Sequence, residues 1–318
     1  MSGWVVTVGQ VMLVVVGGPV LTGVMRQVRA RLEGRAGAGV MQPWRDLRKL
    51  ARREPATPEG TGWPFRLAPL LLVGTTVVIA AVVPLLSTSL PLDAVADLFA
   101  VVGLLALGTA VLALAALDTG TAFGGMGSSR AVMVLALVEP TIIVAIFALS
   151  TRVGTTNLAG IVQASVSEPI RFVSPASALA AAALLIVVVA EIGRIPVDNP
   201  STHLELTMIH EAMVLEYAGI DLALIELAAS MRMGVLLGLL SSLFVPWGIA
   251  HESLTGTAGL AMVAVALIAV VVKVGLLGAG LAAAEVFLAK LRLFRIPELL
   301  AGSFVLAMLA VVLSTLVG

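Results

Sequence analysis

Acidic side chains inside long apolar stretches are the residues of this sequence most suited to proton chemistry. Glu139 lies near the middle of one such stretch and is followed by Pro140. An ionised side chain at that depth of a bilayer costs about 2.5–3.5 kcal/mol on insertion scales, so Glu139 should face a partner or water. Pro140 removes a backbone donor and frees carbonyls near Ala136, which predicts a hydrated kink. A protonated glutamate bonded to a neighbouring helix is the alternative.

A polar segment rich in glycine and proline follows the fifth apolar stretch. It reads Glu191-Ile-Gly-Arg-Ile-Pro-Val-Asp-Asn-Pro200, which predicts an irregular, fixed backbone. Asn199 can cap a new helix over residues 200–214 that starts with Pro200. This helix would carry His203, Thr207 and His210 on one face and Glu205 and Glu211 elsewhere.

The two histidines of the predicted helix do not suit a shared metal ion. Seven residues separate the backbones of His203 and His210 by about 10 Å, whereas both imidazoles must approach one ion within about 2.1 Å. Surface or core histidines are therefore expected, and a proton-transfer role is the alternative.

Further ionisable residues lie in the last third of the chain. Glu216 and Tyr217 precede Gly219, and a helix running from Glu216 to Glu226 would place these two acids on different faces unless Gly219 breaks it. Lys273 lies inside an apolar stretch and needs a carboxylate or water as its partner. Two further ionisable residues in apolar stretches are Arg232 and, twelve residues after Lys273, Glu285.

This set of acids, with one lysine, is typical of a proton relay, since neighbouring carboxylates can hold protons near neutral pH. The sequence has no G-x-S-x-G, P-loop or H-E-x-x-H motif. Without cysteine it can neither bind an iron–sulfur cluster through thiolates nor form a disulfide. Glycines at 120, 124, 125 and 127 predict a tight cytoplasmic loop.

The elements that position these residues are predicted to be transmembrane helices. The chain is 59% hydrophobic and only 12% charged, well below the charged fraction of soluble domains. Continuous apolar runs of about the 20 residues needed to cross a bilayer favour helices over barrel strands. The fold class is all-α, with eight spans in a single membrane domain over residues 1–318. The spans cover about residues 3–25, 67–86, 95–117, 131–151, 176–190, 222–246, 260–287 and 299–317.

The distribution of Lys and Arg predicts the orientation. Ten of the nineteen lie in residues 26–66, and positive residues favour the cytoplasmic side. The other predicted cytoplasmic loops are residues 118–130, 191–221 and 288–298, so both termini should face outward. Anionic lipid or a docked cytoplasmic partner are the alternatives for the basic loop.

Several of these segments resemble one known family, the membrane-anchor subunits of energy-converting nickel–iron hydrogenases of the formate hydrogenlyase subunit 4 type. That subunit is similar to subunit 1 of respiratory complex I. The resemblance covers nearly the whole chain. It rests on the Glu191–Pro200 motif, Thr202-His-Leu-Glu-Leu-Thr-Met-Ile-His-Glu-Ala-Met-Val-Leu-Glu-Tyr-Ala-Gly219, Gly125-Met-Gly-Ser-Ser-Arg130, Glu139-Pro140, Gln42-Pro43 and Ala289-Lys-Leu-Arg-Leu-Phe-Arg-Ile-Pro-Glu298.

The resemblance implies an anchor whose cytoplasmic loops hold the hydrogenase large and small subunits. Its acids would start a proton path toward antiporter-like subunits, and the nickel–iron centre and iron–sulfur clusters would belong to partners. This chain is expected to bind no cofactor, metal or nucleic acid. The path residues would be Glu139, Glu191, Glu205, Glu211, Glu216 and Glu226, completed by Lys273 and Glu285. The residues that fix loops or dock partners would be Gln42, Arg130, Arg194, Asp198, His203, His210 and Tyr217.

The expected function is therefore anchoring and proton translocation in a hydrogenase complex of a bacterial or archaeal cytoplasmic membrane. One alternative is the quinone-binding subunit 1 of a complex-I-like NADH:quinone oxidoreductase. In complex I the motif after the arginine reads Pro-Phe-Asp and continues with acidic residues. Here it reads Pro196-Val-Asp-Asn-Pro-Ser-Thr-His203, which favours the hydrogenase branch. A stand-alone secondary transporter is the other alternative.

Overall fold

The fold is a bundle of α-helices, which confirms the predicted class. A computed structural model describes residues 3–169, 174–198, 208–250, 256–288, 291 and 295–317. Within these residues there are eleven α-helices and no extended strand. The helices are α1 Gly3–Leu32, α2 Gln42–Leu50, α3 Trp63–Val82, α4 Leu98–Asp118, α5 Ala122–Val153, α6 Leu158–Ser167, α7 Pro175–Glu191, α8 His210–Val214, α9 Gly219–Phe244, α10 Gly256–Phe287 and α11 Ile296–Val317.

All eight predicted apolar runs form helices, and the chain is a multi-pass membrane protein. Among the described residues, seven helices are long and apolar enough to cross a membrane, namely α1, α3, α4, α5, α9, α10 and α11. The remaining predicted span corresponds to α7, which is apolar but has only 17 residues. Two short helices, α2 in the basic loop and α6 after α5, had no counterpart in the prediction.

Helix α9 joins two parts of the bundle. On one side it packs against α1, α3 and α10. Helix α5 is the centre of the other part and packs against α4, α7 and α11. Helix α9 also packs against α7, and α3 packs against α4, so the two parts are in contact at both places.

The predicted glycine loop over residues 120–127 is wrong in its extent, because helix α5 already begins at Ala122. The Thr121 hydroxyl accepts a hydrogen bond from the Gly124 amide at 3.2 Å and caps the helix. The glycines serve close packing instead. A Cβ on Gly124 would lie 2.4 Å from the Ala116 carbonyl oxygen, and one on Gly127 would lie 2.9 Å from the Ala212 Cβ.

Helix α3 ends four residues earlier than predicted, because the chain becomes extended at Val83, before Pro84. The buried Gln10 side chain binds the backbone freed there. Its Nε2 donates to the carbonyls of Ala80 and Val83 at 2.7 Å, and its Oε1 accepts from the Leu86 amide at 3.0 Å.

The continuous helix predicted over residues 200–214 is also wrong in its described part. Met208 and Ile209 are not helical, and α8 begins only at His210. The Asp198 carboxylate accepts a hydrogen bond from the His210 amide at 3.1 Å, so an earlier loop residue caps the helix there. The predicted cap Asn199, together with Pro200, His203, Glu205 and Thr207, lies outside the described residues.

Candidate functional site

The first group of ionisable residues, here called the central cluster, consists of Glu139, Glu191, Arg232 and Thr109. Glu191 is the last residue of α7, and its Oε1 is paired with Nη2 of Arg232 from α9. The same Nη2 donates to the Thr109 hydroxyl at 2.9 Å and to the Leu105 carbonyl at 2.8 Å. The side chains of Glu191 and Arg232 are only 5% and 14% exposed. Three helices, α4, α7 and α9, thus bring one cation to a buried carboxylate.

Glu139 contributes the second carboxylate of the central cluster. Glu191 and Arg232 are the two charged residues that act on it electrostatically. Its Oε1 is enclosed and has no hydrogen-bond partner among the described residues. Helix α5 continues through Pro140 to Val153. The Glu139 side chain is therefore held near an ion pair without taking part in it.

A second group, here called the loop cluster, consists of Arg29, Arg194 and Glu285. Glu285 Oε1 lies 3.6 Å from Arg194 Nη1, and its Oε2 lies 3.7 Å from Arg29 Nη1. The Glu285 side chain is 4% exposed. Burial lowers the pKa of the Arg194 guanidinium, and the nearby Glu285 carboxylate partly offsets this shift. The loop cluster fixes the segment after α7 to helices α1 and α10.

Two neighbouring cavities border the two clusters. The larger one, of about 850 Å³, is lined by charged residues that include Arg26, Arg29, Arg194, Glu211, Glu226 and Glu285. The smaller one, of about 80 Å³, is lined by Thr109, Glu191 and Arg232. Six residues line both cavities: Ile192, Gly193, Asp198, His210, Ile225 and Ala229. The segment after α7 and the start of α8 thus separate the larger cavity from the central cluster.

The polar segment after α7 has the irregular backbone that its sequence predicts. It leaves the helix through Gly193, which has a φ of 62°, and continues in turns to Asp198. Arg130 donates from Nη1 to the Met208 carbonyl at 2.8 Å. Together with the bond between Asp198 and His210, this contact fixes the start of α8.

The chain has the break at Gly219 that would let Glu216 and Glu226 lie on the same side, a possibility the sequence left open. Helix α9 begins there with a φ of 59°, and a Cβ would lie 2.6 Å from the Glu54 carbonyl oxygen. Glu226 lies on α9 and lines the larger cavity, whereas Glu216 precedes the break and lines neither cavity.

Tyr217 anchors this break. Its ring is stacked on Phe65 with 4.0 Å between centroids, and its hydroxyl donates to the Phe65 carbonyl at 2.9 Å. Burial raises the pKa of the Tyr217 hydroxyl, and the carboxylates of Asp221 and Asp118 add to the shift. The hydroxyl therefore remains a hydrogen-bond donor at neutral pH.

Lys273 and Gln42 lie apart from both clusters. The Lys273 ammonium donates to the carbonyls of Val245 and Trp247, each at 3.0 Å, and lies 5.3 Å from the centre of the Trp247 ring. The expected carboxylate or water partner is thus replaced by backbone carbonyls at the end of α9, where the helix leaves them without intrahelical partners. Gln42 donates to Asp46 on α2 at 2.9 Å.

Sequence reasoning did not assign Arg232, Arg29 or Thr109 to the site. Arg232 carried a usable signal, because a cation in an apolar run needs a buried anion. Arg29 gave no such signal, since it is one of the ten cations of the basic loop. Thr109 is an ordinary polar residue within an apolar run.

Within the described parts of the chain, no group of three His, Asp or Glu side chains could hold a metal ion. The fold and site thus define a polytopic membrane protein with buried carboxylates next to a polar cavity.

Comparison with known proteins identifies the family. Residues 5–316 match the NADH dehydrogenase family, and the chain belongs to it. It is 33% identical to formate hydrogenlyase subunit 4 of Escherichia coli (strain K12), over 92% of this chain and 93% of the relative. It is 36% identical to hydrogenase-4 component C of the same organism, over 74% of this chain and 73% of the relative. The resemblance inferred from the motifs is confirmed.

A solved structure shares the fold along nearly the whole chain. It is a chain of the membrane-bound sulfane sulfur reductase, an archaeal respiratory membrane complex. The match has a TM-score of 0.81 and 20% sequence identity, and covers 98% of this chain and 99% of the other. Together with the family match, this makes the protein a complex-I-like membrane subunit.

Proposed function

We propose that this chain anchors a hydrogenase to the membrane and moves protons in response to its electron transfer. The complex would be of the formate hydrogenlyase or membrane-bound nickel–iron hydrogenase type. The observation that carries the proposal is the succession of a charged cavity, a smaller cavity and the buried central cluster. The full-length similarity to formate hydrogenlyase subunit 4 supports the choice of complex.

The proposed path begins in the larger cavity, at Glu211 and Glu226. It passes Asp198 and His210, which line both cavities, and reaches Glu191 and then Glu139. Carboxyl and imidazole groups can each bind and release a proton at these steps. Lys273 is left out of this path because its ammonium is bonded to two carbonyls away from both cavities. Glu205 and His203 remain candidates outside the described residues.

The coupling element in this proposal is the segment over residues 192–198. It borders both cavities and is joined to α1 and α10 through the loop cluster. A charge change in a hydrogenase subunit docked at this segment would act on Arg194 and Asp198. Their displacement would change how easily Glu191 accepts a proton.

The proposed partners are the hydrogenase large and small subunits and antiporter-like membrane subunits. The nickel–iron centre and iron–sulfur clusters belong to these partners, since this chain has no cysteine. The basic loop around α2 faces the cytoplasm in this arrangement, and both termini face outward.

The quinone-binding alternative is supported by cavity size, since about 850 Å³ lies within the range of ligand pockets. Ligand pockets are mostly apolar with few polar groups. Here at least six charged side chains line the cavity, which favours a water-filled proton entry. A stand-alone transporter is disfavoured because the relatives are named as parts of complexes.

Purification of the native complex through a tag on this chain tests the anchoring role. We expect hydrogenase large and small subunits to copurify, whereas their absence would contradict it. The complex is then placed in liposomes, and proton uptake during hydrogen turnover is measured for wild type and Glu139→Gln. The variant should retain hydrogen-dependent dye reduction and lose proton uptake. Glu59→Gln, at an exposed loop position, is the matched control and should retain both.

A further inference from the structure

We propose that Arg232 exchanges its ion pair between Glu191 and Glu139, so that the central cluster holds one transferable proton. Arg232 is a positioning residue in this scheme and determines which of the two carboxyl groups is ionised. The biological role of this exchange rests on the proposed function, but the exchange itself can be tested without measuring proton translocation.

The charge count of the central cluster leads to one proton. Glu139 and Glu191 supply two carboxyl groups, and Arg232 supplies one cation. An unpaired carboxylate in an apolar interior costs several kcal/mol in general, so a buried group of this kind favours neutrality. One bound proton brings the net charge of these three side chains to zero. Asp198 and His210 also border the smaller cavity, but the Asp198 carboxylate is already bonded to the His210 amide.

The unused hydrogen-bonding atoms of the cluster are complementary. Among the described residues, four buried side-chain atoms have no hydrogen-bond partner, and two of them are Arg232 Nε and Glu139 Oε1. The first is a donor and the second is an acceptor. The contacts of Arg232 to Leu105, Thr109 and Glu191 all use Nη2. A guanidinium has five N–H donors in a planar fork, so Arg232 retains donors for a second carboxylate.

Helix α4 leaves room for the Arg232 guanidinium in its observed position. Gly108 on α4 lies beside it, and a Cβ at that position would be 3.1 Å from Arg232 Nη1. The absence of a side chain there leaves room for the Nη1 end of the fork. The Thr109 hydroxyl, the next residue on α4, stays within reach of both Glu191 and Arg232.

The exchange moves one proton through the cluster, whose net charge is the same at the end of the cycle as at its start. In the observed arrangement Arg232 pairs with the Glu191 carboxylate, and in the proposed cycle Glu139 carries the proton at this stage. A proton arriving from the smaller cavity forms an O–H bond on Glu191. Arg232 then turns toward Glu139, whose O–H bond breaks as its proton passes to a water molecule or a carboxylate of the neighbouring antiporter-like subunit. The reverse turn of Arg232 accompanies transfer of the proton from Glu191 to Glu139 and resets the cluster.

Infrared spectroscopy of the purified complex tests the exchange, through the C=O absorption of protonated glutamate labelled with carbon-13. The band of Glu139 is identified in the wild type by its loss in Glu139→Gln. In Glu191→Gln, Arg232 has lost its anion and should pair with Glu139, which ionises, so the same band should disappear. The double variant Glu191→Gln with Arg232→Gln should restore the band.

Persistence of the Glu139 band in Glu191→Gln would overturn the exchange. Dye reduction and subunit composition are measured on every preparation, so that only assembled complexes are compared. If the double variant does not assemble, the result for Glu191→Gln decides alone. Loss of proton uptake in Glu139→Gln with a persistent band in Glu191→Gln would retain the proposed function without the exchange. Loss of the band with unchanged proton uptake would retain the exchange and contradict the proton path.

Discussion

Arg194 and Glu285 face each other across 3.6 Å between Nη1 and Oε1, and they connect the segment after α7 to the end of α10. Arg29 of α1 approaches the same carboxylate at 3.7 Å. Three separate parts of the chain therefore meet at one buried carboxylate. The segment that borders both cavities depends on this contact for its position.

Glu285→Gln should destabilise the protein, because it leaves Arg194 and Arg29 without their shared anion. Breaking a buried ion pair on one side costs about 3–5 kcal/mol in general. We expect a clearly lower thermal unfolding midpoint in detergent. Glu33→Gln is the control, since Glu33 pairs with Arg29 and Arg35 at a more exposed position and such pairs contribute about 0–1 kcal/mol. Equal shifts of the thermal unfolding midpoint in both variants would argue against a larger stabilising contribution from the buried Glu285 carboxylate.

Asp93→Asn should stabilise the protein at neutral pH. Burial raises the pKa of the Asp93 carboxyl above its ordinary value of 3.8. As the pH rises above 3.8, the unfolded chain releases this proton first, so the folded state loses stability relative to it. Below that pH both states are protonated and the effect vanishes. The midpoint difference between variant and wild type should therefore shrink as the pH falls toward 3.8.

Asp97→Ala provides the opposite expectation for comparison with Asp93. The Asp97 carboxylate accepts hydrogen bonds from the Phe99 amide and the Thr156 hydroxyl, and caps α4. Its replacement should lower stability by about 1 kcal/mol. Stabilisation by both substitutions would show that removal of a negative charge stabilises this region whether or not the carboxylate has hydrogen-bond partners.

Lys273→Met should lower stability by about 3–6 kcal/mol, since hydrogen bonds to charged groups contribute about 1.5–3 kcal/mol each. The variant removes both bonds to the carbonyls of Val245 and Trp247. Proton uptake of the assembled complex should remain, because Lys273 contacts neither cluster. Loss of proton uptake at unchanged thermal stability would instead place Lys273 on the path.

The absence of cysteine makes the orientation directly measurable. A single cysteine is introduced at Glu59, between α2 and α3, or at Val95, between α3 and α4; both positions are exposed. A thiol reagent that does not cross membranes should label Val95→Cys in intact cells. Glu59→Cys should react only after permeabilisation. The reverse pattern would invert the proposed topology.

Much of the fold follows from the sequence because it depends on local properties. Apolar length predicts all eight long segments, and Gly219 starts α9 with a positive φ at a point where its neighbours leave no room for a side chain. Helix ends are less predictable where distant residues set them. Asp198 caps α8 through space, and nothing in the local sequence around His210 indicates this.

Part of the candidate site could also be predicted, because it depends on local properties of the sequence. Glu139 and Glu191 are conspicuous because charge in an apolar run is costly. The partner of Glu191 is not evident, since pairing with Arg232 depends on how α7 and α9 are rotated about their axes. The association of Glu285 with Arg29 likewise joins opposite ends of the chain.

Proton uptake per hydrogen turned over, measured in liposomes containing the Glu191→Gln complex, tests the central claim most directly. Glu191 pairs with Arg232 and borders the smaller cavity, so every proton on the proposed path passes it. We predict that the variant complex turns over hydrogen with an artificial electron acceptor and takes up no protons. A ratio equal to that of the wild type would contradict the proposal that buried carboxylates of this chain carry the protons.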